Sequence, residues 1–225
     1  MSNEESLRNI YNKTTDYFAN QRHEMLDFLP PTAKKILDVG CGEANFAYLL
    51  KQKTQGEIWG IELDQKASAI AKTKIDHVFC GTAEDNLVNL PNGYFDAIYF
   101  NDVLEHLIDP YSLLKVISSK LSPQGVIIAS IPHVRYFRVL TQLIFQREWR
   151  YEDTGVLDRT HLRFFTKKSM MRMFEENGYK VLKTKPINKT KSLRPLYLHL
   201  LTLGLLGREI SYPQYMLLVA PVRNS

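Results

Sequence analysis

Short apolar runs alternate with amphipathic stretches along most of the chain, and this alternation predicts its elements. The runs are too short for helices and rich in β-branched and aromatic residues, which is typical of buried strands. Between several of them apolar residues recur at helical spacing, as between Thr166, a predicted helix cap, and Gly178. Strands that alternate with helices indicate an α/β fold with a mostly parallel sheet. The predicted strands cover residues 36–39, 58–62, 77–80, 95–100, 125–131, 179–187 and 215–222.

A glycine turn follows the first predicted strand. Gly40 and Gly42 accept positive φ and have no Cβ, so a ligand can approach the backbone there. The first amide N–H groups of the next helix point into the same space. The second strand ends at Glu62, whose carboxylate can accept hydrogen bonds from both hydroxyls of a ribose. Asn45 stands where a dinucleotide fingerprint has its third glycine, which disfavours an oxidoreductase.

These polar candidates share one edge of the predicted sheet. In open α/β sheets, ligands bind beyond the carboxyl ends of the strands, at the switch in strand order. The glycine turn, Glu62, Ala83 and Asn101 all follow strand ends. The sequence therefore predicts a nucleoside-cofactor site at this edge.

Four segments then carry a family resemblance. In order they read D-V-G-C-G-E-A, G-I-E-L-D, Y-F-D-A-I-Y-F-N-D-V-L-E-H-L and L-S-P-Q-G-V-I-I-A-S-I-P. Together, over residues 34–132, they resemble class I S-adenosylmethionine-dependent methyltransferases. The resemblance implies a Rossmann-like, seven-stranded, mostly parallel sheet whose last strand is antiparallel and lies between the fifth and sixth. Helices would cover both faces of one compact domain. Two departures are Ala44, where the family usually has glycine, and Thr82, where many members have an aspartate.

The resemblance also implies the cofactor and its site. S-adenosylmethionine would be the methyl donor and S-adenosylhomocysteine the product. No paired acidic site with metal spacing is present, so the sequence predicts a reaction without a metal. The predicted cofactor-binding residues are Asp38, Gly40, Gly42, Glu62, Leu63, Ala83, Glu84 and Asn101.

Two histidines are candidates for the base that accepts a proton from the methyl acceptor. His106 lies in a stretch expected to begin a helix, where neighbouring Glu105 would point about 100° away from it and form no simple pair. His161 follows Asp158 by three positions, which on a helical turn would let the carboxylate orient the imidazole. In the alternative interpretation, His106 holds local structure, and Asp158 and Arg163 fasten a lid by ion pairs.

Residues 133–165 form a predicted lid insertion after the fifth strand. Arginines interleave there with aromatic residues, a mixture that suits a sugar, a phosphate or an acidic acceptor. The segment L-D-R-T-H-L-R-F-F-T resembles a methyltransferase subgroup often associated with surface-polysaccharide and related sugar pathways. Nucleic acid would also suit the charge, but no nucleic-acid-binding motif is present and this partner is not favoured.

The rest of the chain divides into an N-terminal helical cap, residues 1–33, and the methyltransferase domain, residues 34–225. By analogy with the family, Tyr17 and Arg22 could approach the methionine part of the cofactor, or Tyr17 could be core and Arg22 surface. Residues 189–210 form an apolar helix insertion beside a basic run. The sequence favours burial of this helix against the body or a dimer partner. Alternatively, it makes peripheral contact with an anionic membrane. For the oligomeric state, the sequence is compatible with a monomer and with a homodimer.

Composition narrows the class of protein further. A length of 225 residues suits one domain, and two cysteines without a disulfide pattern fit a reducing compartment. The N-terminal residues have early acids and no apolar stretch typical of a secretion signal, so we expect a cytoplasmic protein. The formal charge of +5 allows an anionic partner.

These observations predict an enzyme that transfers a methyl group to a small-molecule or sugar-like acceptor by in-line, metal-independent displacement. A hydroxyl oxygen is the expected acceptor atom. The alternatives are a partner protein that binds S-adenosylmethionine without catalysis, and a basic methyltransferase that modifies nucleic acid.

Overall fold

A single twisted sheet organises the computed structural model, which describes residues 22–223. Tyr17 and most of the predicted N-terminal cap therefore lie outside the described residues. All the predicted strands are present, although β5 begins earlier than expected and includes a bulge near its start. The strands are β1 Lys35–Val39, β2 Glu57–Glu62, β3 His77–Cys80, β4 Phe95–Asn101, β5 Leu121–Pro132, β6 Tyr179–Ile187 and β7 Gln214–Pro221.

The strand order is β3-β2-β1-β4-β5-β7-β6, in one seven-stranded sheet. The pairs from β3 through β5 are parallel, whereas β7 is antiparallel to both β5 and β6. The predicted fold class, including the position of the last strand, is confirmed. The chain reverses its direction of travel across the sheet between β1 and β4, so the switch point lies beside the ends of these two strands.

The helices vary in length and in how well the sequence predicted them. The helix after β2 ends at Ala71, and residues 72–74 form turns. The helix at Pro110–Ile117 was not predicted from the sequence, although Asp109 caps it by accepting from the amides of Tyr111 and Ser112, and Pro110 stands in its first turn. The helices are α1 Asn45–Thr54, α2 Gln65–Ala71, α3 Ala83–Asn86, α4 Pro110–Ile117, α5 Phe137–Thr141, α6 Lys167–Glu176 and α7 Arg194–Leu201.

Alternate residues of the central strands enter two different cores, one on each face of the sheet. Leu37 of β1 belongs to the core that α4 and α6 cover, and neighbouring Ile36 to the core that α1 and a 3-10 helix, His23–Phe28, cover. The same alternation occurs in β4 at Ile98 and Tyr99. Strands buried on both faces require the near-continuous apolar runs that the sequence contains.

The lid insertion, residues 133–165, begins at the carboxyl end of β5, and its last residue lies beside its first. His133 and Phe165 form a parallel bridge, so the two ends of the insertion are adjacent. Between them, α5 continues into a π-helical turn, Gln142–Gln146. Val139, Val156 and Leu157 form a small core of their own, against which Trp149 packs. The insertion is therefore a packed unit rather than an open loop.

The late apolar helix is exposed in this chain, so its expected burial against the body of the protein is wrong, while burial against a dimer partner stays a prediction. Leu196, Leu200 and Leu201 of α7 are more than half exposed, and Leu203 just beyond it is 92% exposed. Pro195 is the buried residue of this helix.

Candidate active site at the carboxyl edge of the sheet

The glycine turn packs directly against the segment that leaves β4. Gly40 has a φ of +73°, and a Cβ at this position would lie 2.6 Å from Cγ2 of Val103. The Gly42 amide donates a hydrogen bond of 2.7 Å to Oε2 of Glu62. The turn is thus fixed on one side by the end of β2 and on the other by the exit of β4, at the switch point.

Glu62 is a buried carboxylate that accepts hydrogen bonds from backbone amides. Its second oxygen, Oε1, accepts a hydrogen bond of 2.8 Å from the amide of Asp64. Burial raises the pKa of Glu62 above its usual value, and the amide donors oppose that shift. Each carboxylate oxygen has a further lone pair, so both can still accept from a pair of hydroxyl groups.

Asp38 and Asn101 lie side by side at the ends of β1 and β4. Nδ2 of Asn101 is 3.4 Å from Oδ1 of Asp38. Burial is the main reason that the pKa of Asp38 rises to about 7, the charge of Glu62 adds to the rise, and the charge of Arg22 opposes it. Oδ1 of Asn101 is buried and accepts no hydrogen bond from residues 22–223. An acceptor in this position fits a ligand that carries a hydrogen-bond donor.

A polar network that was not predicted from the sequence lies beyond the carboxyl ends of β4 and β5. Asp102 forms an ion pair with Arg22 and accepts hydrogen bonds from Ser130 Oγ at 3.0 Å and Gln214 Nε2 at 2.6 Å. Arg22 also donates to Ser130 Oγ at 3.0 Å. Asp102 adopts a φ of +55°, which is uncommon for a residue with a side chain and typical of functional turns. An acidic residue directly after a strand end was the available signal.

The other predicted cofactor residues surround this edge without forming side-chain contacts that identify a role. Ala83 is buried at the start of α3, Glu84 is exposed and Leu63 is half-buried. Thr82 caps α3 by accepting from the Asp85 amide, which gives it a local structural function. The assignment of Leu63, Ala83 and Glu84 to the cofactor stays a prediction.

The segment around Glu105 and His106 is a turn and not the start of a helix, so the expected divergence of their side chains is wrong. One ligand atom each from Glu105, His106 and His161 lies within 4.8 Å of the other two. The rings of the two histidines are 4.7 Å apart, centroid to centroid. Nε2 of His161 is 3.9 Å from Oε1 of Glu105. The structure thus brings the two predicted catalytic residues together with a carboxylate.

The lid insertion creates this convergence by binding to the turn. The amides of Leu162 and Arg163 both donate to the carbonyl oxygen of Glu105, at 2.9 and 3.1 Å. Residues 158–161 form a bridge and turns rather than a helix, so the helical face expected for Asp158 and His161 is wrong. Oδ1 of Asp158 instead accepts from the amide and hydroxyl of Thr160.

Three arginines of the lid insertion contact separate partners in the protein. Arg135 forms an ion pair with Glu209 at 2.5 Å, and Arg159 forms one with Asp153. Arg163 donates to the carbonyl oxygen of Ile108. These guanidiniums hold elements of the protein together, so the predicted anionic-acceptor pocket has no support from them.

Comparison with known proteins gives this arrangement its context. A family model described as a methyltransferase domain matches residues 11–184. The chain belongs to this methyltransferase family. A solved S-adenosylmethionine-dependent methyltransferase from Archaeoglobus fulgidus has the same fold, with a TM-score of 0.66, 20% identity and coverage of 96% of each chain.

Two curated relatives of the methyltransferase differ in how much of their length is matched. The ubiquinone biosynthesis O-methyltransferase of Chromobacterium violaceum is 33% identical over 111 residues, which are 44% of this chain and 47% of that enzyme. The chain thus spans about half of that relative. The demethylmenaquinone methyltransferase of Bacillus mycoides is 25% identical over 221 residues, covering 82% of this chain and 92% of that enzyme.

The helices of the methyltransferase are all too short or too polar to cross a bilayer, as far as residues 22–223 are concerned. The exposed helix α7 is among them.

Proposed function

We propose that this S-adenosylmethionine-dependent methyltransferase methylates a hydroxyl oxygen of a small molecule. The observation that carries the proposal is the meeting of two groups of residues at the switch point. The glycine turn held by Glu62 touches Val103, and the cluster of Glu105, His106 and His161 lies just beyond. The amide of His106 donates to the carbonyl oxygen of Val103 at 3.0 Å, which supports placing the proposed donor site next to the proposed proton-handling site.

The residues at the edge fit the cofactor. Glu62 would accept from the ribose hydroxyls while it continues to hold the turn, whereas the space beside Gly40 is occupied by Val103. Asp38 and Asn101 would receive the polar end of the ligand. Arg22, paired with Asp102, lies beside them and would face the methionine part.

When bound, S-adenosylmethionine supplies a sulfonium methyl group, and S-adenosylhomocysteine is the neutral product. The acceptor oxygen forms the new bond to the methyl carbon as the carbon–sulfur bond breaks, and its proton must leave. His106 and His161 are the groups placed to handle that proton near neutral pH. The protein's other contribution is to align the acceptor and exclude water.

A ring-bearing, quinone-like alcohol or phenol is the acceptor class that we favour. Support comes from the relatives, whose names place O-methylation in ubiquinone biosynthesis and methylation on demethylmenaquinone. The lid insertion offers aromatic side chains near the site, with Phe164 within ring contact of both His161 and Trp149. A sugar-like hydroxyl, the other class predicted from the sequence, would use the same donor site.

Titration calorimetry with S-adenosylmethionine, S-adenosylhomocysteine and NAD tests the donor site. Binding of the first two and none of NAD is expected. Glu62→Ala should weaken S-adenosylhomocysteine binding by about 1–3 kcal/mol, because it removes a buried acceptor. Glu57→Ala, at the other end of β2 and in contact with Tyr94 and His77, is the matched control and should bind normally. Equal affinities of the two variants would refute the ribose assignment.

Transfer itself is tested by S-adenosylhomocysteine release with catechols, hydroquinones and sugars as acceptors. Turnover with a hydroxyl compound supports the proposal. Firm cofactor binding with no turnover on any acceptor class, and no competition by polynucleotide, would instead favour the non-catalytic partner protein.

We also propose that the protein works in the cytoplasm. Cys41 and Cys80 are both free thiols, and Cys80 is exposed. An exposed thiol fits a compartment in which thiols are kept reduced.

A further inference from the structure

We propose that Glu105, His106 and His161 bind a divalent transition-metal ion, which holds the acceptor oxygen during methyl transfer. This departs from the metal-free site predicted from the sequence, which assumed that Glu105 and His106 point apart. The role of the ion rests on the proposed function, but its binding does not. Two imidazole nitrogens and one carboxylate form a ligand set that suits first-row divalent ions such as Zn²⁺ and Co²⁺.

The hydrogen bonds of both rings orient them as metal ligands. Nδ1 of His106 lies 3.0 Å from the carbonyl oxygen of Thr160, and Nδ1 of His161 lies 3.0 Å from that of Val156. A carbonyl oxygen can only accept, so each Nδ1 carries the proton and each Nε2 keeps its lone pair. Metal-binding histidines usually donate their other ring nitrogen in this way.

The distances are compatible with a site that closes on an ion. The three ligand atoms lie within 4.8 Å of one another. Ligands about 2.1 Å from a shared ion are roughly 3.0–3.4 Å apart, so modest side-chain rotation would suffice. Glu105 and His161 are buried and His106 is half-buried, which leaves an open side for an acceptor.

Proton transfer alone does not account for this arrangement, since a single histidine would be enough. Asp158 also supports the cluster, because its carboxylate accepts from the Thr160 hydroxyl, which lies 3.1 Å from Nδ1 of His106. Asp158 is therefore a positioning residue. With an ion bound, both Nε2 atoms would be ligands, so the role of base given above to His106 and His161 would pass to water. The ion would lower the pKa of the coordinated acceptor hydroxyl group, which would then release its proton to water before its oxygen takes the methyl group.

Titration of the chelator-treated protein with Co²⁺, followed by visible absorption and calorimetry, tests the site. We expect one ion per chain. His161→Ala and Glu105→Gln should each weaken binding by on the order of 100-fold. The matched control is His77→Gln, since His77 also pairs with a carboxylate, Glu57 at 3.0 Å, but on an exposed edge strand. This control should bind Co²⁺ like the native protein.

The same samples are titrated with S-adenosylhomocysteine. Native affinity for S-adenosylhomocysteine in the Glu105→Gln protein would establish that the variant is folded and that only the metal site is lost. Native protein that binds Co²⁺ no more tightly than the two site variants would overturn the metal proposal. The proposed function fails separately, if native protein does not bind S-adenosylhomocysteine.

A second inference concerns a surface that both insertions share, which we call the apolar face. It consists of exposed side chains after α5 and on and beyond α7. The two helices contact each other, and Nη2 of Arg135 donates to the carbonyl oxygen of Leu206 at 3.1 Å. Contiguous apolar surfaces of this kind are rare unless they bind something. The apolar face comprises Leu143, Ile144, Phe145, Leu196, Tyr197, Leu200, Leu201, Leu203 and Leu205.

We infer that the apolar face docks on an anionic lipid bilayer. Its charge supports this choice of partner, because residues 189–210 contain four lysines and arginines against a single acid, Glu209. Arg138, Arg147 and Arg150 are also exposed on the lid insertion. Apolar side chains among basic ones suit insertion between anionic head groups.

The apolar face belongs to segments that leave the sheet at the same edge as the candidate active site. β5 and β6 are both antiparallel to β7, so they run in the same direction. Both insertions therefore leave the sheet at the carboxyl edge that holds the glycine turn. Leu203, which is 92% exposed, belongs to the insertion between β6 and β7. Docking would bring the edge of the sheet toward the membrane.

Co-sedimentation with phosphatidylcholine vesicles, with and without phosphatidylglycerol, tests this inference. Binding to the mixed vesicles is expected, with a loss of on the order of tenfold when Leu200 and Leu203 are both changed to Asn. Val88→Asn, at another exposed apolar residue, is the matched control and should bind normally. No binding to mixed vesicles would overturn the inference. So would a dimer that the double variant dissociates, since that result assigns the face to a second copy.

Discussion

Two buried carboxylates at the switch point are stabilised in different ways. Glu62 accepts two backbone amides, each on a separate oxygen. Asp38 has Asn101 at 3.4 Å and the charge of Arg22 nearby, and its pKa still rises to about 7. The orientation of the Glu62 carboxylate is therefore set by the fold, whereas the protonation of Asp38 can change with the ligand that binds beside it.

The raised pKa of Asp38 predicts how stability depends on pH. The native state holds this proton up to about pH 7, while the unfolded state releases it near pH 4. The stability that Asp38 contributes is present below pH 4 and is lost as the pH rises through 7, by at most about 1.4 kcal/mol per pH unit. Asp38→Asn should not show this loss. Urea unfolding of both proteins at pH 5 and pH 8 measures the difference.

The control for this measurement is Asp27→Asn. A hydrogen bond from Lys185 lowers the pKa of Asp27, so this carboxylate stays charged in both states across that pH range. Its variant should parallel the native protein between pH 5 and pH 8. If the stability of Asp38→Asn also falls as much as that of the native protein between pH 5 and pH 8, then the carboxyl group of Asp38 does not cause the loss.

At the scale of elements, α6 illustrates how a sequence signal and a packed face cooperate. Thr166 accepts from the Ser169 amide, and Ser169 Oγ accepts from the Thr166 amide, forming a capping box. The helix then buries Met170, Met173 and Phe174 in the core. The cap therefore stabilises an element on which the whole domain depends.

Thr166→Ala should lower the free energy of unfolding by about 1 kcal/mol, because one amide at the helix start loses its acceptor. The comparison variant is Ser192→Ala, whose hydroxyl accepts from the Arg194 amide at the start of α7. Since α7 is largely exposed, this change should barely affect global unfolding. Denaturant titrations of the two variants measure their free energies of unfolding. Equal losses of this free energy in Thr166→Ala and Ser192→Ala would contradict the greater importance of the α6 cap.

Elements with a strong local signal were predictable, and those that depend on distant contacts were not. The apolar run at Phe95–Asn101 predicted β4, and the cap and the glycine predicted the bounds of α6. Residues 103–107 have a helical composition, but the carbonyl of Glu105 is engaged by the amides of Leu162 and Arg163. That contact joins segments far apart in the chain, so the resulting cluster with His161 could not be read from local spacing. The exposure of α7 was missed for the same reason, since composition does not distinguish a core from a binding surface.

At the scale of the whole molecule, the donor site is assembled from separate strands. Asp38, Glu62 and Asn101 come from β1, β2 and β4, which are neighbours in the sheet. A ligand that contacts all three strands must bind the folded state in preference to the unfolded one. The family resemblance predicted this edge because parallel strands bring their carboxyl ends together.

S-adenosylhomocysteine at about 100 times its dissociation constant should therefore raise the free energy of unfolding by about 2.7 kcal/mol. Thermal unfolding followed by circular dichroism, with and without the ligand, measures the gain. Glu62→Ala should shift less at the same ligand concentration. An unchanged transition temperature in the native protein would argue against a donor site at this edge.

The place of β7 in the sheet has a consequence for synthesis on the ribosome. β5 is complete long before Gln214–Pro221 is translated, yet β7 is the strand that joins β5 to β6. Until these residues emerge from the exit tunnel, β5 has one open edge and β6 has no neighbour, so both can pair with other nascent chains. A translational pause just before residue 214 would prolong that exposure. The nascent chain is therefore most exposed to aggregation in the interval between the synthesis of β6 and that of β7.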